Sequence, residues 1–434
     1  VHLVAAGIWR QSHADDALRR EIALVASLAS APDFVARTTP RFGSHSFSVT
    51  VERGDARLID QFAPEWRALC DEGPCADPFF RPEWIATYLR HLEPEAMVVL
   101  ITTWRNGYLR AVLPLIEERT RFFGVPLRRW RAPTDRHSPD RSDLVHGRDD
   151  RQAAVAAIWE HLRATPGWDL IDLADVPEDG AFRDLLRSAA ASGYPTAERI
   201  SRETPYVPLA GHASLEAALA HTQAKFRANV RRRWRNLEKQ GPVRLIRHDI
   251  ATPELLSRFF AMEAAGWKGQ EGTAIACNPQ SEAFYTSLAA EAARQGYFTL
   301  YALLCGEEPI AMHFGLTANG RYLVPKLTYD ERWHTFAPGH LLVYAVLQDC
   351  FARGLREFDF LGNAMPWKME WAPATRSFYH GYIFAPTPAG RAGHSVRFQL
   401  LPAGRRLRDR LQYGRIAGLA LRRLQRSEEG EAHA

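Results

Sequence analysis

The stretch that most constrains what this chain can fold into runs from Arg321 to Trp371. Tyr322 to Tyr329 is a β-prone run, the loop from Asp330 to Pro338 ends in Pro-Gly, and Leu341 to Cys350 carries apolar residues at helical spacing until Gly354 stops the helix. The pattern predicts a next strand from Arg356 to Leu361, then a short helical turn carrying Trp367, Lys368 and Trp371. A helix that opens directly after a loop presents unpaired backbone N–H groups and the positive end of its dipole, which suits an anion. Pro338, Gly339, His340, Leu341 and Leu342 are therefore the candidate phosphate site. A side chain at Gly339 would hold a phosphate off the backbone, and His340 adds a donor. An ordinary Pro-Gly turn before a buried helix is the competing reading of the same residues.

The neighbouring sequence adds context. Phe298 to Leu304 and Pro309 to Leu316 read as apolar strands, and Asn319-Gly320 joins the second to Arg321 to Tyr329 as a tight hairpin. The predicted order is helix, helix, three antiparallel strands, loop, helix, strand. With it come Trp267-Lys268-Gly269, Gly272-Thr273, Pro309-Ile310-Ala311, Lys326, Tyr329-Asp330-Glu331, Pro338-Gly339 and Asp359. These residues resemble the GNAT acyltransferases, and among them the CelD/BcsL type named for bacterial cellulose operons. The likeness spans about Pro78 to Phe384, although His334 to Leu342 carries fewer glycines than the usual GNAT phosphate loop. The resemblance implies an α/β (α+β) fold of tandem GNAT-like domains, each a mixed, mostly antiparallel sheet flanked by helices. It also implies an acyl-CoA donor, acetyl-CoA foremost, with Trp267, Lys268, Tyr329 and Asp330 on the substrate side.

A chain of 434 residues is long for one core, so two domains are expected. Hydrophobic residues at 46% and charged residues at 24% suit a globular protein, and no apolar run reaches membrane-spanning length. Val1 to Trp9 is apolar but short, lacks a basic leader and runs into charged sequence, so it is not read as a signal peptide. Cys70, Cys75, Cys277, Cys305 and Cys350 are odd in number and sit mostly in apolar surroundings, which suggests reduced thiols and a cytoplasmic protein. No spacing suggests a metal site. The net charge of +5 is mild, but cations crowd Lys225 to Lys239 and Arg405 to Arg426, where a phosphorylated substrate, an anionic membrane surface or RNA would be met.

The N-terminal half loosely repeats the C-terminal half. Strand, turn, strand from Val98 to Ile116 answers Phe298 to Leu316, and helix, Gly, strand, Pro from Ala153 to Pro177 answers Leu342 to Pro366. Asp169, Asp172 and Asp175 stand against Asp359. Only the C-terminal copy has a Pro-Gly loop before its helix, so it alone is expected to hold the donor. The expected domains are an extension at 1–45, a GNAT-like domain at 46–205, a basic connecting helix at 206–242, the acyltransferase domain at 243–390 and a basic helical tail at 391–434. On the connecting helix Phe226, Val230, Trp234 and Leu237 form an apolar stripe beside the cations Arg227, Arg231, Arg235 and Lys239. A solvated basic face is one reading of those cations, and a phosphate held by Arg227 and Arg231 in the cleft between the copies is the other.

Lys326 and Asp359 both fall on predicted interior strands, where a lone charge is costly, so Lys326 is expected either to pair with a carboxylate such as Asp330 or Asp359 or to lie exposed in a cleft, and Asp359 to partner Lys326 or Lys368. Asp359 with Lys326 at its side is the first candidate for catalysis, His313 the second base, and Lys368 a further charged group at the centre. The chain has no G-x-S-x-G, H-E-x-x-H or Walker loop. Direct attack on a bound thioester needs positioning, a base and carbonyl polarisation, and no protein nucleophile. Two function classes follow. One is acyl-CoA-dependent N- or O-acylation of a sugar, a polysaccharide precursor or an amino compound. The other is Fem-type transfer of an aminoacyl group from tRNA, in which the basic helix and tail form the RNA footprint. A non-catalytic partner in polysaccharide assembly is a third, and the basic tail would also suit peripheral membrane contact.

Overall fold

The computed structural model describes residues 47–75, 77–134 and 141–403. The extension expected at 1–45 and the basic cluster from Arg405 to Arg426 lie outside them.

In the N-terminal half β1 (Ser48–Gly54), β2 (Met97–Arg105), β3 (Tyr108–Phe122) and β4 (Val125–Arg131) pair antiparallel in sequence order. The short β5 (Val145–His146) adds to β3, β6 (Leu170–Pro177) lies parallel to β4, and β7 (Thr196–Pro208) closes the half. The C-terminal half repeats the plan. There β8 (Val243–His248), β9 (Phe298–Cys305), β10 (Glu308–Ala318) and β11 (Arg321–Tyr329) are antiparallel, β12 (Glu357–Asp359) lies parallel to β11, and β13 (Ala374–Phe384) comes last. Asn106-Gly107 and Asn319-Gly320 turn their hairpins with φ of 55° and 79°, and 49° and 67°. Paired positive φ gives a turn whose twist matches that of the flanking strands.

All these strands form one 13-stranded sheet, ordered β1-β2-β3-β4-β6-β13-β7-β12-β11-β10-β9-β8, with β5 off the path. The order is a repeat and its inverse with the last strand of each half exchanged, since β13 lies beside β6 and β7 beside β12. Register makes the equivalence residue-specific. Asp172 stands between Arg131 and Tyr382, and Asp359 between Leu323 and Tyr206. The sequence boundary at residue 205 therefore falls within β7, a strand that the two copies share at their seam.

Nine helices cover the faces. They are α1 (Arg57–Glu72), α2 (Pro82–Leu92), α3 (Arg151–Ala164), α4 (Ala181–Ala191), α5 (Ala224–Glu238), α6 (Pro253–Ala265), α7 (Pro279–Arg294), α8 (Pro338–Ala352) and α9 (Pro388–Ser395), counted among the described residues and leaving out single turns. On one face α1, α2, α6 and α7 share a core that crosses the copies, with Trp84 edge-on to Phe284 at 5.9 Å. On the other, α5 and α8 cover the C-terminal copy, and α3 and α4 the N-terminal one. The basic connecting helix expected at 206–242 is instead the end of β7, a turn at Leu215–Ala218 and α5.

Candidate active site

The parallel pair β11 and β12 is in register only from Arg321 opposite Glu357 to Leu323 opposite Asp359. Beyond that point the strands part. β11 also carries a bulge, because Phe314 faces Lys326 and Leu316 faces Leu323, leaving Val324 and Pro325 opposite Gly315 alone. Proline fits there because it has no N–H to give the ladder. The bulge reverses which side chains face which side of the sheet. A cavity of about 710 Å³ opens at the split, bordered by β11, the start of α8, and the turn after β12. That volume suits a small-molecule ligand.

The equivalent split in the N-terminal copy is closed. Residues 141–146 run back into it, Ser142 N–H donates to Asp175 O at 3.2 Å, and the space left is about 10 Å³. Asp143 in this plug accepts from the N–H groups of Ala181 and Phe182 at 2.9 and 2.8 Å.

Helix α8 begins at Pro338 after Ala337, whose φ of 52° is left-handed and whose side chain caps nothing. Pro338, Gly339 and His340 border the cavity. Leu341 and Leu342 do not, because both side chains are fully buried in the core beneath α8. Within the first turn His340 N–H and Leu341 N–H donate to Ala337 O at 3.0 and 3.2 Å. Gly339 N–H has no acceptor among the described residues. The expected array of free donors thus reduces to Gly339 N–H, the helix dipole and the His340 ring. His340 Nδ1 accepts from the Trp371 indole at 3.1 Å, which leaves Nε2 to carry the proton, and burial, with Arg233 adding to it against Glu370, lowers its pKa.

Lys326 and Asp359 are not partners. Asp359 is fully buried and ion-paired with Arg141 of the plug, and its Oδ1 accepts Leu361 N–H at 2.9 Å. Arg141 also pairs with Asp77, which in turn lies 3.1 Å from Arg321 Nη2. Burial alone would raise the pKa of Asp77, but Arg141 and Arg321 more than offset it and hold the carboxyl below its ordinary value. Asp359 is accordingly a partner of the N-terminal copy, set behind the cavity wall. Lys326 borders the cavity with its ammonium 5.3 Å over the Tyr285 ring. Lys368, expected near the reacting centre, donates to Leu361 O at 2.6 Å. It pins the turn in which Leu361 and Gly362 take φ of 52° and 59°. A leucine at positive φ is strained, and the Asp359 and Lys368 hydrogen bonds hold it there.

His313 is fully buried at the cavity edge, neither ring nitrogen has a partner, and burial pushes its pKa down to about 3. Glu263 was not anticipated from the sequence. It is buried on α6 at the cavity wall, 2.7 Å from Lys268 Nζ, and accepts Ile275 N–H at 2.8 Å. Lys268 also donates to Leu327 O at 2.9 Å, and burial lowers its pKa against the pull of Glu263. A Cβ on Gly269 would sit 1.8 Å from Ala264 O, so only glycine fits the Trp267-Lys268-Gly269 turn that aims this lysine. The signal for Glu263 was available, as the one carboxylate on the buried Leu256, Phe259, Phe260 face of α6.

Trp267 and Tyr329 line the cavity, and Asp330 does not. It caps the turn after β11 by accepting Arg332 N–H at 2.9 Å, and Arg332 lowers its pKa. Arg227 lies outside the cavity too. Its guanidinium donates to the carbonyls of Leu219 (3.2 Å), Ala220 (3.4 Å) and Thr222, finishing the Leu215–Ala218 turn. Arg231 is exposed beside it. Of the α5 cations, Arg233 stands near enough to His340 for its charge to act on that ring, although it does not border the cavity. Among the described residues no group of His, Cys, Asp or Glu could hold a metal ion, and no helix is long and apolar enough to cross a membrane.

Residues 224–369 match the model of the acetyltransferase (GNAT) domain. No curated protein matches the chain in sequence. Among solved structures, FemX is similar at 11% identity and a TM-score of 0.52, covering 80% of this chain and 100% of its own. The C-terminal domain (DUF2156) of a putative lysylphosphatidylglycerol synthetase from Agrobacterium fabrum superposes at 12% identity and a TM-score of 0.47, covering 77% and 94%. The match falls on the copy whose strand split is open, and the chain carries a GNAT-type acyltransferase domain in a mixed α/β fold.

Proposed function

We propose that the protein transfers an acyl group, acetyl foremost, from acyl-CoA to an amine or hydroxyl of a sugar, a polysaccharide precursor or an amino compound. One observation carries this: β11 and β12 part to give a cavity with open strand edges at the start of α8. An extended, amide-bearing arm adds to such an edge as another strand would, and the phosphates at its far end suit Gly339 N–H, His340 and Arg233. The CelD/BcsL-type residues Trp267-Lys268-Gly269 and Tyr329 line the same cavity or shape its wall, which supports an acceptor from polysaccharide chemistry.

At the cavity edge His313 is the neutral group whose two ring nitrogens are buried without a partner, and in this reading it accepts a hydrogen bond from the attacking amine or hydroxyl once the bound substrates open the wall to it. Burial disfavours its protonation by about 5 kcal/mol. A negative charge developing on the carbonyl oxygen about 4 Å away would return about 4 kcal/mol at an effective dielectric of 20. The developing oxyanion would thus return most of that cost, so the imidazole accepts a proton more readily as the acyl group transfers. Lys268, held by Glu263, supplies positive charge at the β11 edge.

A second reading, aminoacyl transfer from tRNA, is favoured by Lys225, Arg231, Arg232 and Arg235 on α5, which have no ion-pair partner among the described residues. Titration calorimetry with coenzyme A and acetyl-CoA, with tRNA as competitor, separates the two. Micromolar coenzyme A binding indifferent to tRNA supports acyl-CoA use. Tight tRNA binding without affinity for coenzyme A overturns it.

A further inference from the structure

We infer that the acceptor carries an anionic group, a carboxylate or a phosphate, and that Lys326 binds it. The inference rests on the acyltransferase reading and narrows its substrate class.

The bulge at Val324 and Pro325 sets Lys326 opposite Phe314, on the face covered by α6 and α7, where its ammonium lies over Tyr285. Its neighbour Leu327 points the other way, toward α8, with a side-chain carbon 3.9 Å from where a Cβ on Gly339 would be. Lys326 is thus on the opposite side of β11 from the helix start that suits the donor's phosphates, and it faces the acceptor's end of the cavity.

Every carboxylate near it has another partner. Glu263 is paired with Lys268, Asp330 with Arg332 and Asp359 with Arg141, while Glu331 accepts Trp267 N–H at 2.8 Å. No carboxylate lies within ion-pairing distance of Lys326 among the described residues. Lys268 and Lys326 stand close enough to act on each other's charge, and Glu263 is taken up by Lys268, so the Lys326 ammonium has no carboxylate of its own. A half-buried ammonium facing an aromatic ring and a cavity is best stabilised by an incoming anion. Trp267, 48% exposed at the rim, offers an apolar face for the body of the same molecule.

The test titrates the full chain, unliganded and coenzyme A-saturated, with glucose 6-phosphate and glucuronate, using glucose as the neutral control. The anionic ligands are expected to bind at least tenfold more tightly than glucose. Lys326→Met should remove that advantage, Lys326→Arg should keep most of it, and coenzyme A affinity should be the same in all three proteins. Equal binding of charged and neutral sugars, or an advantage that survives Lys326→Met, overturns the inference while leaving acyl-CoA use standing. Failure of the unmutated protein to bind coenzyme A counts instead against the reading on which the inference rests.

Discussion

At the scale of single residues, the charged groups of this site divide into those that hold the walls and those that face the cavity. Asp359 belongs to the walls. Breaking one side of a buried pair costs about 3–5 kcal/mol, so Asp359→Asn should lower the melting temperature by several degrees and leave coenzyme A affinity unchanged. A hundredfold loss of turnover at unchanged stability would instead make Asp359 the base. His313 faces the cavity, and burial holds it neutral, with its pKa pushed down to about 3. A histidine whose folded value lies below its unfolded one contributes stability that is full above about pH 6.5 and is lost as pH falls toward 3, at about 1.4 kcal/mol per pH unit. The loss of stability from pH 6.5 to 4 should therefore be shallower in His313→Gln than in the unmutated protein. Identical slopes in the two melting series would contradict a buried neutral imidazole. The sequence singled out both residues from their charge on apolar strands. It could not show that the partner of Asp359 is Arg141, 218 positions away, because such a contact depends on the exchange of strands.

At the scale of elements, the stretch from Arg321 to Trp371 folds much as its pattern implies, with strand, turn, helix and strand in order. Proline at N1 and helical apolar spacing fix the start of α8 locally. At Gly339 a Cβ would meet only Tyr329 and Leu327 at 3.6 and 3.9 Å, ordinary contact distances. Gly339→Val should accordingly fold, yet raise the coenzyme A dissociation constant at least tenfold, and an unchanged constant in titration calorimetry would remove this loop from the site. Helix α5 was legible as an amphipathic element, but which of its cations meets the site was not. Spacing along a helix gives faces, and only packing says which flank the cavity lies on. Arg227 closes the preceding turn through several carbonyls. Arg227→Gln should cost about 1–3 kcal/mol of stability, whereas Arg231→Gln should stay within about 0.5. Chemical denaturation of the two variants checks the contrast.

At the scale of the molecule, the internal repeat seen in the sequence becomes a sheet in which each half lends its last strand to the other. Local patterning revealed the strands and the repeat. The exchange was hidden, since β7 and β13 read as ordinary strands and their neighbours lie far along the chain. The same asymmetry that closes one split leaves the other open, and Arg141 of the plug ties the closed copy to the strand beside the open one. The central claim is that the donor binds in the C-terminal copy alone. Hydrogen–deuterium exchange with and without coenzyme A tests it most directly. Protection should appear at residues 324–329 and at the start of α8, with none along β4, β6 and residues 141–146. Protection in the N-terminal copy, or none in either, would contradict the account.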